Sequence, residues 1–174
     1  QILPLSPCDE YNSPYSGKSA FAGNYLFIDP EILYEKKLLT KEEVELCKSD
    51  NIYTVQYDFL NQTRMDIFRR AFLRTDEGIK KEINEFCKKN KWAEDYALFC
   101  ALKKENDNLA WYEWEKGVKF REAQAVSDAK KRLSDEILFY EFLQYEFFSQ
   151  WNSLKEYASE KGIGIIGDMP IYLS

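Results

Sequence analysis

The sequence predicts an α/β chain of the (β/α)-barrel kind, predominantly helical, with two parallel strands separated by a long helical stretch. Strand-like runs stand near either end, Gln1-Ile2-Leu3-Pro4-Leu5 and Gly162-Ile163-Gly164-Ile165-Ile166. Each leads into a polar motif. Ser13-Pro14-Tyr15 and Ser19-Ala20-Phe21-Ala22-Gly23-Asn24 follow the first run, and Gly167-Asp168-Met169-Pro170-Ile171-Tyr172 follows the second. Parallel strands that deliver polar groups from their carboxyl ends, with helix between them, are how barrel enzymes are built.

The elements follow in order. Residues 1–5 read as a buried strand, and 6–24 as a Pro/Ser/Gly/Asn-rich loop whose length and aromatics favour an ordered binding loop. Asp29-Pro30-Glu31 opens a helix, Asp29 as N-cap and Pro30 at the first helical position. Thr40-Lys41-Glu42-Glu43 is a capping box that starts another. Residues 52–59 alternate, Ile52, Thr54 and Gln56 against Tyr53, Val55 and Tyr57, which predicts a brief extended stretch. Helix is expected from about Met65. Asp76 and Glu77 begin a helix with Ile79, Ile83, Phe86 and Cys87 on one face. Another spans about 94–104, with Tyr96, Phe99, Cys100 and Lys103 together. Asn106-Asp107-Asn108 breaks it, and Trp111-Tyr112-Glu113-Trp114 clusters at a turn.

The strongest helix runs from about Ser134 to Glu160. Ile137, Tyr140, Gln144, Phe147, Trp151, Leu154 and Ala158 recur in steps of three and four, and Leu138, Phe142, Tyr145 and Phe148 widen the stripe. Such a helix is expected to pack on two sides. Gly162 would end it as the C′ residue, with strand 162–166 following at once.

Composition excludes several functions. The 174 residues are the size of one ordinary domain, and 45% hydrophobic content suffices for a core. The formal net charge is -6 and the densest basic tract is Lys88-Lys89-Asn90-Lys91, so no nucleic-acid partner is expected. Apolar runs are far too short to span a bilayer, so no membrane partner is expected either. No signal-peptide pattern opens the chain, and Cys8, Cys47, Cys87 and Cys100 show no CxxC spacing, so free thiols in the cytoplasm are expected. Histidine is absent, which removes the usual general base and the commonest metal ligand; no metal or cofactor is expected. The chain starts without Met inside one strand-like run and stops just after another, so both ends are expected to be cut points.

Two residues stand out chemically. Pro14 restricts its neighbours, so Tyr15 is held in a defined direction. It either stacks on the C–H face of a sugar, with Asn12, Ser13 or Ser19 meeting the hydroxyls, or folds back onto its own core. Asp168 emerges at a strand end, where a carboxylate must be hydrogen-bonded or solvated; it is a functional group or a structural acceptor of backbone N–H groups. Glu43 and Glu45, Asp135-Glu136 and Glu94-Asp95 read as solvated helix faces, and Trp111, Trp114 and Trp151 as core. Gly162-Ile163-Gly164 is no dinucleotide fingerprint, since it precedes a strand and lacks the third glycine.

The motifs together carry a resemblance. Gln1-Ile2-Leu3-Pro4-Leu5-x-Pro7, Ser13-Pro14-Tyr15 and Ser19 to Asn24 resemble the 4-α-glucanotransferases (amylomaltase, or disproportionating enzyme). So do Asp95-Tyr96-Ala97-Leu98-Phe99-x-Ala101-Leu102-Lys103, Gln144-Tyr145-x-Phe147-x-x-Gln150-Trp151 and the run from Gly162 to Tyr172. The resemblance implies a (β/α)8 TIM barrel of which this chain holds strands two and three, with a helical insertion. It divides the chain into strand plus substrate loop (1–28), helical insertion (29–133), and barrel helix with the following strand (134–174). It implies retaining transfer of α-1,4-glucan segments, with Tyr15 as the aromatic platform beside the scissile sugar, Asp168 positioning substrate, and Ser13 beside them as substrate-binding.

The family's nucleophilic Asp, acid/base Glu, a neighbouring Arg and a His-Asp pair lie in later parts of its sequence, so no catalytic residue is expected here. Cys8-Asp9-Glu10-Tyr11-Asn12 replaces the usual Tyr-Gly-Asp-type stretch, and Glu115 follows Trp114 where Pro is common. The expectation is an internal fragment, inactive alone, of an enzyme whose partner is an α-1,4-glucan or maltooligosaccharide. The alternatives are a non-catalytic carbohydrate-binding module and a helical interaction module.

Overall fold

The structure, a computed structural model, describes residues 1–49, 51, 53–170 and 172–173, the last by its backbone alone. The expectations resting on Ile52 and Ile171 lie outside these residues. The first part of the chain is mostly irregular and contains a two-residue strand, β1 (Ser16–Gly17), and a 3-10 turn, Tyr25–Phe27. Then come α1 (Pro30–Glu35), α2 (Lys41–Leu46), α3 (Tyr57–Leu73), α4 (Glu77–Lys89) and α5 (Trp92–Glu105). A 3-10 turn at Trp111–Glu113 leads to α6 (Lys116–Lys119), α7 (Ala123–Arg132) and the 27-residue α8 (Ser134–Glu160), and β2 (Tyr172–Leu173) follows.

Local chemistry sets the helix starts. Asp29 Oδ1 accepts the Glu31 N–H at 2.9 Å. Thr40 Oγ1 accepts the Glu43 N–H while Glu43 Oε2 accepts the Thr40 N–H, the reciprocal pair a capping box requires. Asp76 Oδ1 accepts the Ile79 N–H at the start of α4. At the far end of α8, Gly162 takes φ +72°. Its N–H reaches Ser159 O, and the Ile163 N–H reaches Ala158 O, both at 2.9 Å. This left-handed turn satisfies the last carbonyls of the helix.

The two predicted strands differ from expectation. Segments 1–5 and 162–166 form no regular strand; one backbone hydrogen bond, Ile2 N–H to Ile166 O at 2.9 Å, joins them. Leu3, Ile163 and Ile166 are each more than half exposed, so these runs are not the buried strands their apolar content suggests. A parallel barrel strand is paired at both edges and covered on both faces, and among the described residues a single backbone hydrogen bond joins the two runs. The regular pairing lies further along, where β1 runs parallel to β2 with Ser16 opposite Tyr172 and Gly17 opposite Leu173.

The alternating stretch is also corrected. Tyr57 to Phe59 belong to α3, which begins eight residues before Met65. Residues 53–54 are a bend and 55–56 irregular, because Asn51 Oδ1 accepts the N–H groups of Tyr53 and Thr54.

Helix α8 organises the interior. Phe139, Phe142, Leu143 and Phe147 pack with Ile28, Leu33, Val44, Phe68, Ile83 and their neighbours in one apolar cluster. Ile137 joins Ala97, Leu98, Ala101, Leu102 and Trp114 in a second, and Tyr140 touches both. A helix flanked by two clusters needs an apolar stripe wider than one face, as its sequence has. Cys8, Cys47, Cys87 and Cys100 are free thiols. Among the described residues, no helix is long and apolar enough to cross a membrane.

Candidate functional site

The loop 6–24 is built by its own hydrogen bonds. Its base closes where the Asn24 N–H meets Leu5 O at 2.8 Å. Residues 7–9 run antiparallel to 16–18 through Lys18 N–H to Pro7 O and Asp9 N–H to Ser16 O. At the tip, Asp9 Oδ1 accepts the N–H groups of Tyr11 (3.0 Å) and Ser13 (3.4 Å), while Asn12 adopts φ 56°. The Ser16 hydroxyl, with these N–H groups, holds the Asp9 carboxyl below its ordinary range. Ser19 Oγ accepts from Phe21 and Ala22, turning the chain back toward Gly23.

Two outside elements anchor this loop. One is the segment after α8: Tyr172 N–H donates to Tyr15 O at 2.9 Å, beside the β1–β2 pair. The Tyr15 hydroxyl donates to Asp168 Oδ2 at 3.1 Å, while Asp168 Oδ1 accepts the Met169 N–H at 2.9 Å. Tyr15 and Asp168, 153 residues apart, therefore meet. That hydrogen bond and the Asp168 charge push the Tyr15 hydroxyl above its ordinary value. Ser13 is held by its backbone, its N–H on Asp9 and its carbonyl accepting from Ser16 N–H at 3.2 Å.

The other anchor is α8. Gln144, 2% exposed, accepts the Gly23 N–H on Oε1 at 2.8 Å and donates from Nε2 to Gly23 O at 3.0 Å. In the sequence Gln144 is one position in the apolar stripe; only the folded chain shows it gripping the loop.

Among the cavities that flank the loop, two reach its anchors. One of about 210 Å3 is bordered by Ser6, Phe21, Gly23, Phe147, Trp151 and Asp168. The second, about 450 Å3, lies between the loop and the helices, and the Tyr96, Phe99, Cys100 and Lys103 face of α5 lines it. An aromatic ring tied to a carboxylate offers a flat apolar face for sugar C–H groups and spare acceptor positions for sugar hydroxyls.

Other candidates resolve differently. Trp114 is buried, its Nε1 donating to Leu109 O, and Trp151 packs on the α8 cluster, as read from the sequence. Trp111 is 54% exposed, so the core reading fails there. The solvated-face reading fails for Glu43 too. This residue is buried and paired with both guanidinium nitrogens of Arg74 at 2.6 and 2.9 Å, which lowers its carboxyl to about 2. Glu136 is likewise held by Arg69 and Lys104.

A mostly helical body thus presents a hydrogen-bonded loop beside an aromatic–carboxylate pair. Comparison with known proteins makes this specific: the family model described as 4-alpha-glucanotransferase matches residues 1–174, and the chain belongs to that family. It is 41% identical to the 4-alpha-glucanotransferase of Clostridium butyricum and 38% to that of Aquifex aeolicus. All of this chain is covered in both, against 36% and 35% of those proteins. Among solved structures, amylomaltase from Streptococcus agalactiae in complex with acarbose superposes with TM-score 0.93 at 37% identity, over all of this chain and 36% of that one. The chain thus spans about a third of the length of the relatives it matches, and the neighbour it superposes on is a TIM-barrel enzyme.

Proposed function

We propose that this chain forms one wall of the glucan site in a 4-α-glucanotransferase, a retaining enzyme that moves α-1,4-glucan segments onto acceptor sugars. Tyr15 stacks on a sugar ring, Asp168 accepts from its hydroxyls, and Ser13 Oγ meets a neighbouring hydroxyl. The observation that carries this reading is the hydrogen bond from the Tyr15 hydroxyl to Asp168 Oδ2, in a chain that belongs to the 4-alpha-glucanotransferase family and superposes on an amylomaltase.

In a retaining mechanism one carboxylate attacks the anomeric carbon as a second carboxylic acid protonates the departing oxygen. The acceptor hydroxyl then reverses the step, giving its proton to the second group. Neither carboxylate is assigned to this chain. Its part is to fix the ring so that the reacting atoms meet. Residues 1–28 supply barrel strand two with the substrate loop, 29–133 the helical insertion, and 134–174 the barrel helix and strand three. The exposed Leu3, Ile163 and Ile166 support this assignment, since neighbouring barrel strands would cover them. Four free thiols favour the cytoplasm as its compartment.

The test is maltotriose disproportionation. The full protein is expected to release glucose and longer maltooligosaccharides, and the 174-residue chain alone to release none above buffer. Glucose released by the chain alone would place the catalytic pair within it and overturn this reading.

A further inference from the structure

We propose that Gln144 is a positioning residue of the glucan site: its side-chain amide holds both backbone polar groups of Gly23 and so sets the loop that carries Tyr15. The inference rests on the reading of Tyr15 as a sugar platform.

Gln144 is buried on α8, yet its side chain bonds away from the helix; both ends of its amide go to one residue of the loop. The approach is close. A Cβ on Gly23 would overlap the Phe147 ring, one turn further along the helix, so the peptide at position 23 lies directly on the helix surface. Gln150, six residues after Gln144, repeats the arrangement six residues after Gly23. Its Oε1 accepts the Asp29 N–H at 2.7 Å and its Nε2 donates to Asp29 O at 3.4 Å. The chain from 23 to 29 is thereby laid along α8 in a single register.

Gln144 is the rung nearer the site. The next residue, Asn24, closes the loop on Leu5, and Ser19 Oγ ties the two residues before Gly23 into a turn. A shift of Gly23 therefore moves the base from which the 7–9 and 16–18 ladder, and Tyr15 beside it, are hung.

The chemistry of the position admits few replacements. It needs one donor and one acceptor on a neutral group of this length. Leucine supplies neither and leaves two buried backbone groups unpaired. Glutamate keeps the acceptor for the Gly23 N–H but sets an oxygen against Gly23 O, two residues from the buried Glu146.

The experiment compares Gln144→Leu and Gln150→Leu in the full protein, well below the Tm of each. The Tyr15 phenol is followed by NMR with ring-labelled tyrosine and assigned by its loss in Tyr15→Phe. For Gln144→Leu we expect the Tyr15 titration to fall toward the ordinary tyrosine value as its contact with Asp168 loosens. We also expect kcat/KM for maltotriose to drop roughly tenfold, mostly through KM. Gln150→Leu lowers Tm and leaves the Tyr15 titration where it was.

If Gln144→Leu lowers only Tm, with Tyr15 and KM unchanged, Gln144 is a core staple and the proposal is overturned. If Tyr15 shifts but even the unaltered protein transfers no glucan, the positioning of Tyr15 stands and the glucan reading fails. Should Gln144→Leu not fold, Gln144→Glu, which retains the acceptor, is read by the same two signals.

Discussion

Tyr15 reaches the site already aimed. Pro14 limits the backbone before it, Tyr172 N–H fixes its carbonyl, and Asp168 fixes its hydroxyl. Asp168→Asn weakens the hydrogen bond and removes the charge that together raise the Tyr15 hydroxyl, so its titration should move down toward the ordinary tyrosine value, measurable by NMR of the labelled ring. If the ring stacks on substrate, Tyr15→Phe retains the platform and costs only a few-fold in kcat/KM, whereas Tyr15→Ala costs roughly tenfold to a hundredfold. Equal losses in both would mean that the hydroxyl, not the ring, is what the substrate meets. Tyr15 and Asp168 stand out in the sequence as a proline-flanked aromatic and a carboxylate after an apolar run, whereas their meeting across 153 residues has no local signature. Gln144 does not stand out: an amide inside an aromatic stripe looks tolerated, and its partner lies 121 residues away.

At the level of elements, α1, α2, α4 and the end of α8 were legible because their start and stop signals are local, whereas α7, which has no side-chain cap, was not singled out. The caps at Asp29, Thr40 and Asp76 and the Gly162 terminus all act within a few residues of where they stand. The alternation at 52–59 misled because period two describes a strand only where a neighbouring strand exists to pair with it; here the Asn51 side chain takes the backbone first. Glu43 joins two elements, completing the α2 capping box while holding Arg74 just past α3. Its carboxyl lies near 2 in the folded chain against an ordinary 4.5, so its stabilisation is full above 4.5 and is lost as pH falls through about 2. Glu43→Gln should cost about 1–3 kcal/mol at neutral pH. The gap between it and the unaltered chain should close as pH falls from 4.5 toward 2, checked by denaturant unfolding across that range. A gap that persists unchanged at pH 2 would assign the effect to packing rather than charge.

For the whole molecule, the helical half was readable and the sheet was not. Helical bonds are made within a segment, whereas a parallel ladder needs partner strands distant in sequence; the 1–5 and 162–166 runs share one backbone bond. What the fold does achieve is a meeting of its two ends, the loop near one and the Asp168 segment near the other, braced by α8 behind them. Whether that meeting forms a wall of the glucan site is tested by a crystal structure of the full protein with acarbose bound. A sugar ring is expected to lie on the face of Tyr15 at about 4 Å, with a hydroxyl donating to Asp168. Acarbose bound in the active site with Tyr15 and Asp168 both out of contact would contradict it.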